Sequence, residues 1–154
     1  MGTLMIDAIH ANVGNVPAST PKVGGYVTGT PDIKWTPKDW ARFPKAGTVR
    51  IDQSPGLSAY ATNEGSVADI EALAGTVSSF VTASEARMRL RRLLWCYVTE
   101  STLYEVATAL KEAGIPLDKC GAWLADWNMS QAQADAALGT SMAGIRLAIG
   151  VTDQ

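Results

Sequence analysis

The chain has 154 residues, of which 47% are hydrophobic and 18% charged, and this predicts one globular domain spanning residues 1–154. A formal net charge of −2 excludes a strong basic field for holding nucleic acid or an anionic membrane. The single histidine and the two cysteines lack zinc-ligand spacing, so we expect neither a metal nor a cofactor.

Short apolar runs rich in β-branched or aromatic residues alternate with helical patterns along the chain. The runs predict strands at residues 4–9, 23–29, 48–52, 66–71, 92–98, 120–127 and 145–151. Between them, helices are predicted from Pro37 behind the N-cap Thr36, over 76–92, over 101–114 and over 130–139. The alternation predicts an α/β fold around a parallel sheet, either open or closed into a barrel.

Acidic side chains end several of the predicted strands. Asp69 and Glu71 lie two residues apart in the fourth strand, so they share one face and Ile70 points to the other. Asp7 lies in the first strand, and Asp126 ends the sixth. Because functional groups of parallel α/β proteins gather at the carboxyl ends of strands, we expect these carboxyl groups to converge. Crowded carboxylates can hold one member protonated and another ionised, as cleavage of a glycosidic bond requires.

Aromatic residues end the fifth and sixth predicted strands. Tyr97, Trp123 and Trp127 are candidate sugar-binding residues, because they combine flat apolar faces with polar edges. Ordinary core packing is the alternative for the tryptophans, and a solvated strand end, turn or cap is the alternative for the acids. Alternation along the fifth strand predicts that Cys96 faces away from Tyr97.

Six motifs carry a family resemblance over nearly the whole chain. In chain order they are MIDAIHANV, VGGYVTG, TPKDWARFP, VADIE, WCYVTESTLYEV and WLADWNMS. In this order they resemble the glycoside-hydrolase-like barrel proteins of actinobacteria and their phages, which are relatives of the family 25 lysozymes (muramidases). The resemblance implies a single TIM-type (β/α) barrel and hydrolysis of the glycan strands of peptidoglycan.

The resemblance also implies roles for individual residues. Glu71 would be the general acid, and Asp69 would position the substrate or polarise its neighbour. Asp7 and Asp126 would line the cleft, and Tyr97 would bind sugar. A TIM barrel has about 250 residues, so the expected barrel is short: either it is left open or incomplete at its C-terminal end, or the chain is a piece of a longer protein.

Two functions from different classes stay open at this point. The first is a phage-encoded, lysozyme-like hydrolase of cell-wall glycan. The second is a non-catalytic virion module, in a tail or capsid, that keeps the barrel as a glycan-binding domain or scaffold. A third, a phosphate-binding flavodoxin-like sheet, is disfavoured because no glycine-rich loop joins a strand to a helix.

The expected partners and location follow from these two functions. Cell-wall glycan and other virion proteins are the expected partners, with no nucleic acid and no membrane. The first residues lack the pattern of a secretory signal, which predicts cytoplasmic synthesis followed by virion association or release at lysis.

Overall fold

The computed structural model describes residues 4–70, 76–92, 94–116, 119–125 and 146–152. Six strands lie side by side in chain order and all run parallel: β1 (Leu4–Asp7), β2 (Val23–Tyr26), β3 (Thr48–Asp52), β4 (Val67–Asp69), β5 (Leu94–Val98) and β6 (Cys120–Ala125). They form one curled sheet, a half-barrel that is itself open. A further strand, β7 (Arg146–Thr152), pairs in parallel with β1 and with β6.

The helices on this sheet are unequal in length. α1 (Pro37–Ala41) and α2 (Ser58–Ala61) follow β2 and β3 and are one turn each, whereas α3 (Thr76–Arg89) and α4 (Glu100–Glu112) follow β4 and β5. Two 3₁₀ turns, at His10–Asn15 and Lys45–Gly47, complete the described connections. The predicted helix over 130–139 lies outside the described residues.

The prediction of a TIM-type barrel is wrong. A TIM barrel closes with eight strands, each followed by a helix of the outer ring. Here β1 to β6 form an open half-barrel, and β1 is followed by a 3₁₀ turn instead of an α-helix. The helices after β2 and β3 have only five and four residues, too short to form an outer ring. The fold is therefore an α/β half-barrel of six parallel strands whose two edge strands, β1 and β6, both pair with β7, and it is not an eight-stranded TIM barrel.

Local sequence signals set the ends of these helices. The Thr36 side chain accepts a hydrogen bond from the Asp39 backbone N–H, and the Asp39 carboxylate accepts one from the Thr36 backbone N–H. With Pro37 at the first helical position, this capping box confirms the predicted start of α1. After α4, Gly114 takes a φ of +75°, a left-handed conformation that suits glycine at a helix end.

Side-chain alternation gives the sheet two different faces. The outer face packs against α2, α3 and α4 through a large apolar cluster that includes Cys96, Leu94 and Val98. The inner face holds a smaller cluster made of Tyr26, Ile51, Val67, Tyr97 and Trp123. Cys96 and Tyr97 therefore lie on opposite faces, which confirms their predicted orientation.

Two adjacent glycines allow tryptophan rings to approach β2 closely. A Cβ on Gly24 would lie 2.5 Å from the Trp123 ring on the inner face. A Cβ on Gly25 would lie 2.5 Å from the Trp35 ring on the outer face. The glycine pair of the motif VGGYVTG thus has a packing role, because any larger residue would displace one of the two tryptophans.

Candidate functional site

Five side chains meet on the inner face where the parallel strands end. We call this group the inner cluster; its members are Asp7, Tyr26, Asp69, Tyr97 and Trp123. They come from five different strands, β1, β2, β4, β5 and β6. The carboxyl ends of the strands thus bring together residues that are up to 116 positions apart in the chain.

Asp7 lies at the centre of the inner cluster. The Tyr26 hydroxyl donates a 2.8 Å hydrogen bond to Asp7 Oδ2, and the Tyr97 hydroxyl donates a longer one, 3.5 Å, to Oδ1. Burial, with a smaller contribution from the nearby charge of Asp69, raises the pKa of Asp7 to about 6 against the lowering effect of its hydrogen bonds, chiefly the one from Tyr26. Asp7 can therefore exchange a proton in the mildly acidic to neutral range.

Asp69 ends β4 and is paired in register with Tyr97 of β5. It is buried on the inner face, while its neighbour Ile70 packs in the outer apolar cluster. Burial, followed by the charges of Asp7 and Asp69, raises the pKa of Tyr26 far above its usual range. Tyr26 therefore stays protonated and acts as a fixed hydrogen-bond donor to Asp7.

Aromatic rings form the floor of the inner cluster. Tyr97 and Trp123 pack edge to face, with ring centroids 4.8 Å apart and planes at 84°. The Trp123 indole N–H is buried and has no hydrogen-bond partner among the residues that the structure describes. Such an unpaired buried donor is unusual in proteins.

The structure brings together four of the seven side chains predicted for the site: Asp7, Asp69, Tyr97 and Trp123. The other three, Glu71, Asp126 and Trp127, lie outside the described residues, so their places in the site stay predictions.

Tyr26 was not predicted as part of the site. It ends β2, the neighbour of β1, and lies two residues beyond Gly24, the residue in register with Asp7. The signal that could have found it is an aromatic residue at the carboxyl end of a strand beside an acid-bearing strand.

A second acidic contact lies away from the inner cluster. His10 Nδ1 pairs with Asp39 Oδ2, which links the 3₁₀ turn after β1 to the start of α1. Burial acts to raise the pKa of Asp39, but hydrogen bonds from the Thr36 backbone and from His10 outweigh it and lower that pKa. Asp39 therefore works as an ionised cap that holds α1 in place.

Neither a metal site nor a membrane span is found in the part of the chain that the structure describes. There, no group of three or more His, Cys, Asp or Glu side chains is arranged to hold a metal ion. No described helix is long and apolar enough to cross a membrane.

Comparison of the chain with protein-family models, with curated proteins and with solved structures finds no match. The resemblance to the family 25 lysozymes therefore stays a prediction. What the chain does has to be argued from its own residues and their geometry.

Proposed function

We propose that the inner cluster belongs to a glycan-cleaving site of the muramidase type, which acts on the glycan strands of bacterial cell-wall peptidoglycan. The observation that carries this proposal is the buried pair Asp7 and Asp69, in which Asp7 has its pKa raised to about 6. Cleavage of a glycosidic bond uses two carboxyl groups, one protonated and one ionised, close to each other.

Glu71 is the proposed general acid of this site. It follows Asp69 by two residues, the spacing that puts side chains on the same face of a strand. Protonated Glu71 would donate to the glycosidic oxygen as the sugar takes on positive charge. Asp69 would position the sugar or stabilise that charge. The Asp7 carboxyl, held by Tyr26, would control the charge of the pair as pH changes.

Aromatic and acidic residues around this pair would bind the sugar chain. Tyr97 and Trp123 form the floor beneath the carboxyl groups, and Tyr97 keeps a hydroxyl that can hydrogen-bond. Asp126 and Trp127 follow β6 directly in sequence, so we propose them as further members of the cleft. A ring below and polar groups beside it is the arrangement that suits a sugar, which has one apolar face and hydroxyls at its rim.

The test is release of reducing sugar from purified peptidoglycan across mildly acidic to neutral pH. Glu71→Gln should lower the rate by about a hundred- to ten-thousand-fold, the usual effect of losing a general acid. Asp69→Asn should also lower the rate, because it removes the charge that would position the sugar or stabilise its developing positive charge. Glu64→Gln and Asp32→Asn are the matched controls, because both residues are exposed and make the same chemical change. Circular dichroism of all four variants checks that they fold.

The outcome that rejects catalysis is simple. A folded wild-type protein that releases no reducing sugar at any pH in this range has no muramidase activity. Equal rates for Glu71→Gln and Glu64→Gln would instead reject Glu71 as the acid.

One observation favours a second function, a non-catalytic virion module that holds glycan or serves as a scaffold. Asp7 and Trp123 are 0% exposed, and Asp69 and Tyr97 are each 4% exposed. A carboxyl group that cleaves a sugar has to touch it, whereas a buried acid network can serve to fix the fold. Co-sedimentation with insoluble peptidoglycan separates the two functions, because binding without sugar release supports the module and sugar release rejects it.

A further inference from the structure

A basic cleft lies at the opposite end of the sheet from the inner cluster. Its volume is about 360 Å³, and the described residues that line it are Met88, Arg91, Arg92 and Lys119. Arg91 and Arg92 come shortly before β5, and Lys119 comes directly before β6. Because β5 and β6 are parallel neighbours, the cleft lies at their amino ends, whereas the inner cluster lies at the carboxyl ends of the strands.

The turn between α3 and β5, at the edge of this cleft, contains an arginine in a left-handed backbone conformation. α3 ends at Arg89, and the turn is closed by a hydrogen bond from the Arg91 backbone N–H to the Met88 carbonyl. Arg91 takes a φ of +55°, the left-handed conformation that a glycine normally supplies after a helix. A left-handed conformation is unfavourable for an arginine, and such backbone strain is typical of residues whose side chains have a function.

The cations of the cleft have no acidic partners in the described ranges. The one ion pair found there joins His10 and Asp39, far from the cleft in sequence. Arg91, Arg92 and Lys119 are all exposed, and they place three positive charges around one concave surface. Like charges this close repel each other, and a bound anion would relieve that repulsion.

The size and chemistry of the cleft indicate its ligand. A volume of about 360 Å³ lies at the lower end of the range for small-molecule sites. Guanidinium groups match phosphate oxygens with two parallel hydrogen bonds, and a lysine adds a mobile point charge. Met88 supplies an apolar wall for the remainder of the molecule.

We propose that this cleft binds the phosphate or diphosphate group of a small molecule. Arg91 and Arg92 hold the anion from the end of α3, and Lys119 holds it from the start of β6. The site is independent of the proposed glycan-cleaving function, since it shares no residue with the inner cluster.

Isothermal titration of the whole protein with pyrophosphate and with inorganic phosphate at low ionic strength tests this site. We expect saturable binding, tighter for pyrophosphate because it carries more charge. The double variant Arg92→Gln/Lys119→Gln should weaken that binding at least about tenfold, since each charge-assisted contact is among the strong hydrogen bonds. Arg89→Gln/Lys111→Gln is the matched control, because it removes the same charge from exposed residues that do not line the cleft.

A second variant separates binding from folding. Arg91→Gly removes one cation and also relieves the left-handed backbone at that position. It should therefore unfold at the same or a higher temperature than the wild type, yet bind pyrophosphate more weakly. A purely structural role for Arg91 predicts no change in affinity.

Three results would overturn the proposal. The first is the absence of saturable binding of either anion. The second is an equal loss of affinity in the cleft variant and in its matched control, which would show attraction by overall charge alone. The third is binding of a phosphodiester oligonucleotide through the same residues with no binding of pyrophosphate, which would reject a small-molecule ligand.

Discussion

Asp7 and Asp52 end strands β1 and β3 of the same sheet, and both are 0% exposed, yet their surroundings differ. Asp52 ends β3 and accepts three hydrogen bonds of 2.8 Å, from the Thr28 hydroxyl and from the backbone N–H groups of Ser54 and Tyr60. Asp7 ends β1 on the inner face and accepts hydrogen bonds from the Tyr26 and Tyr97 phenols, with the charge of Asp69 nearby.

The comparison shows how the same residue type serves two purposes. Three donors, two of them from the backbone, replace the hydrogen bonds to water that Asp52 loses on burial. The Asp52 side chain therefore connects β3 to α2 and acts as a structural clamp. Burial removes water from Asp7, one of its phenolic hydrogen bonds is long at 3.5 Å, and Asp69 places a like charge nearby, so ionising Asp7 is unfavourable. A fully satisfied carboxylate fixes structure, whereas a poorly satisfied one can change its protonation state, which is the property that acid–base chemistry uses.

The largest effect is expected for Asp52→Ala. The change leaves the buried Tyr60 N–H and the half-buried Thr28 and Ser54 donors without their acceptor. An unsatisfied buried donor costs about 1 to 3 kcal/mol and a half-buried one less, so the free energy of unfolding should fall by about 3 to 5 kcal/mol. Urea denaturation measures this, and Asp32→Ala on the exposed surface is the matched control. A loss below about 1 kcal/mol would show that Asp52 is not a structural clamp.

The second largest effect is expected for Asp7→Asn, which should raise the free energy of unfolding at neutral pH, whereas Asp52→Ala lowers it. The folded-state pKa of Asp7 is raised from 3.8 to about 6, so between these values the folded protein binds more protons than the unfolded chain. Stability therefore falls as pH rises through this window, by about 3 kcal/mol in total at 1.36 kcal/mol per unit. Asparagine keeps an acceptor for Tyr26 and cannot ionise.

Asp7→Asn should thus match the wild type at pH 4 and exceed it in stability at pH 8. Urea denaturation at pH 4, 6 and 8 gives the two stability profiles. Asp39 contributes little to the change between pH 4 and 8, because its pKa is lowered and its stabilising contribution is lost mainly at more acidic pH. Parallel pH profiles for variant and wild type would contradict the raised pKa of Asp7.

Features set by neighbouring residues were predictable from the sequence. The strand TVRID was predicted over 48–52 and forms there, and the cap Thr36 and the stop at Gly114 lie where expected. The opposed faces of Cys96 and Tyr97 followed from alternation alone. Each of these depends on spacing along a few residues, which a single sequence contains.

Features that depend on distant contacts were not predictable in the same way. Strand–helix alternation predicted a parallel sheet, open or closed, and the family resemblance implied a short TIM-type barrel. Alternation does not fix how many strands form or whether a helix follows each of them. The contact of Tyr26 with Asp7 and the three donors around Asp52 depend on how strands and loops meet across the sheet. The positions of the acidic residues are visible in the sequence, but the hydrogen-bond donors that surround each carboxyl group in the fold are not.

The smallest effect is expected for Tyr26→Phe, which removes the 2.8 Å hydrogen bond to Asp7 and nothing else. Because that bond favours the ionised form, its loss should move the pKa of Asp7 upward from about 6. Stability should fall by about 1 to 2 kcal/mol at pH 8, where the carboxylate needs the donor, and by less at pH 4.

Carbon-13 NMR of the Asp7 carboxyl group measures the shift directly, and Tyr104→Phe is the matched control because Tyr104 is 69% exposed. An unchanged or lower midpoint in Tyr26→Phe would mean that the phenol does not set the charge of Asp7. An upward shift would show that the inner cluster holds a carboxyl group whose proton is controlled by a neighbouring phenol. That property would make the protonation of Asp7 adjustable near neutral pH, as the proposed glycan-cleaving site requires.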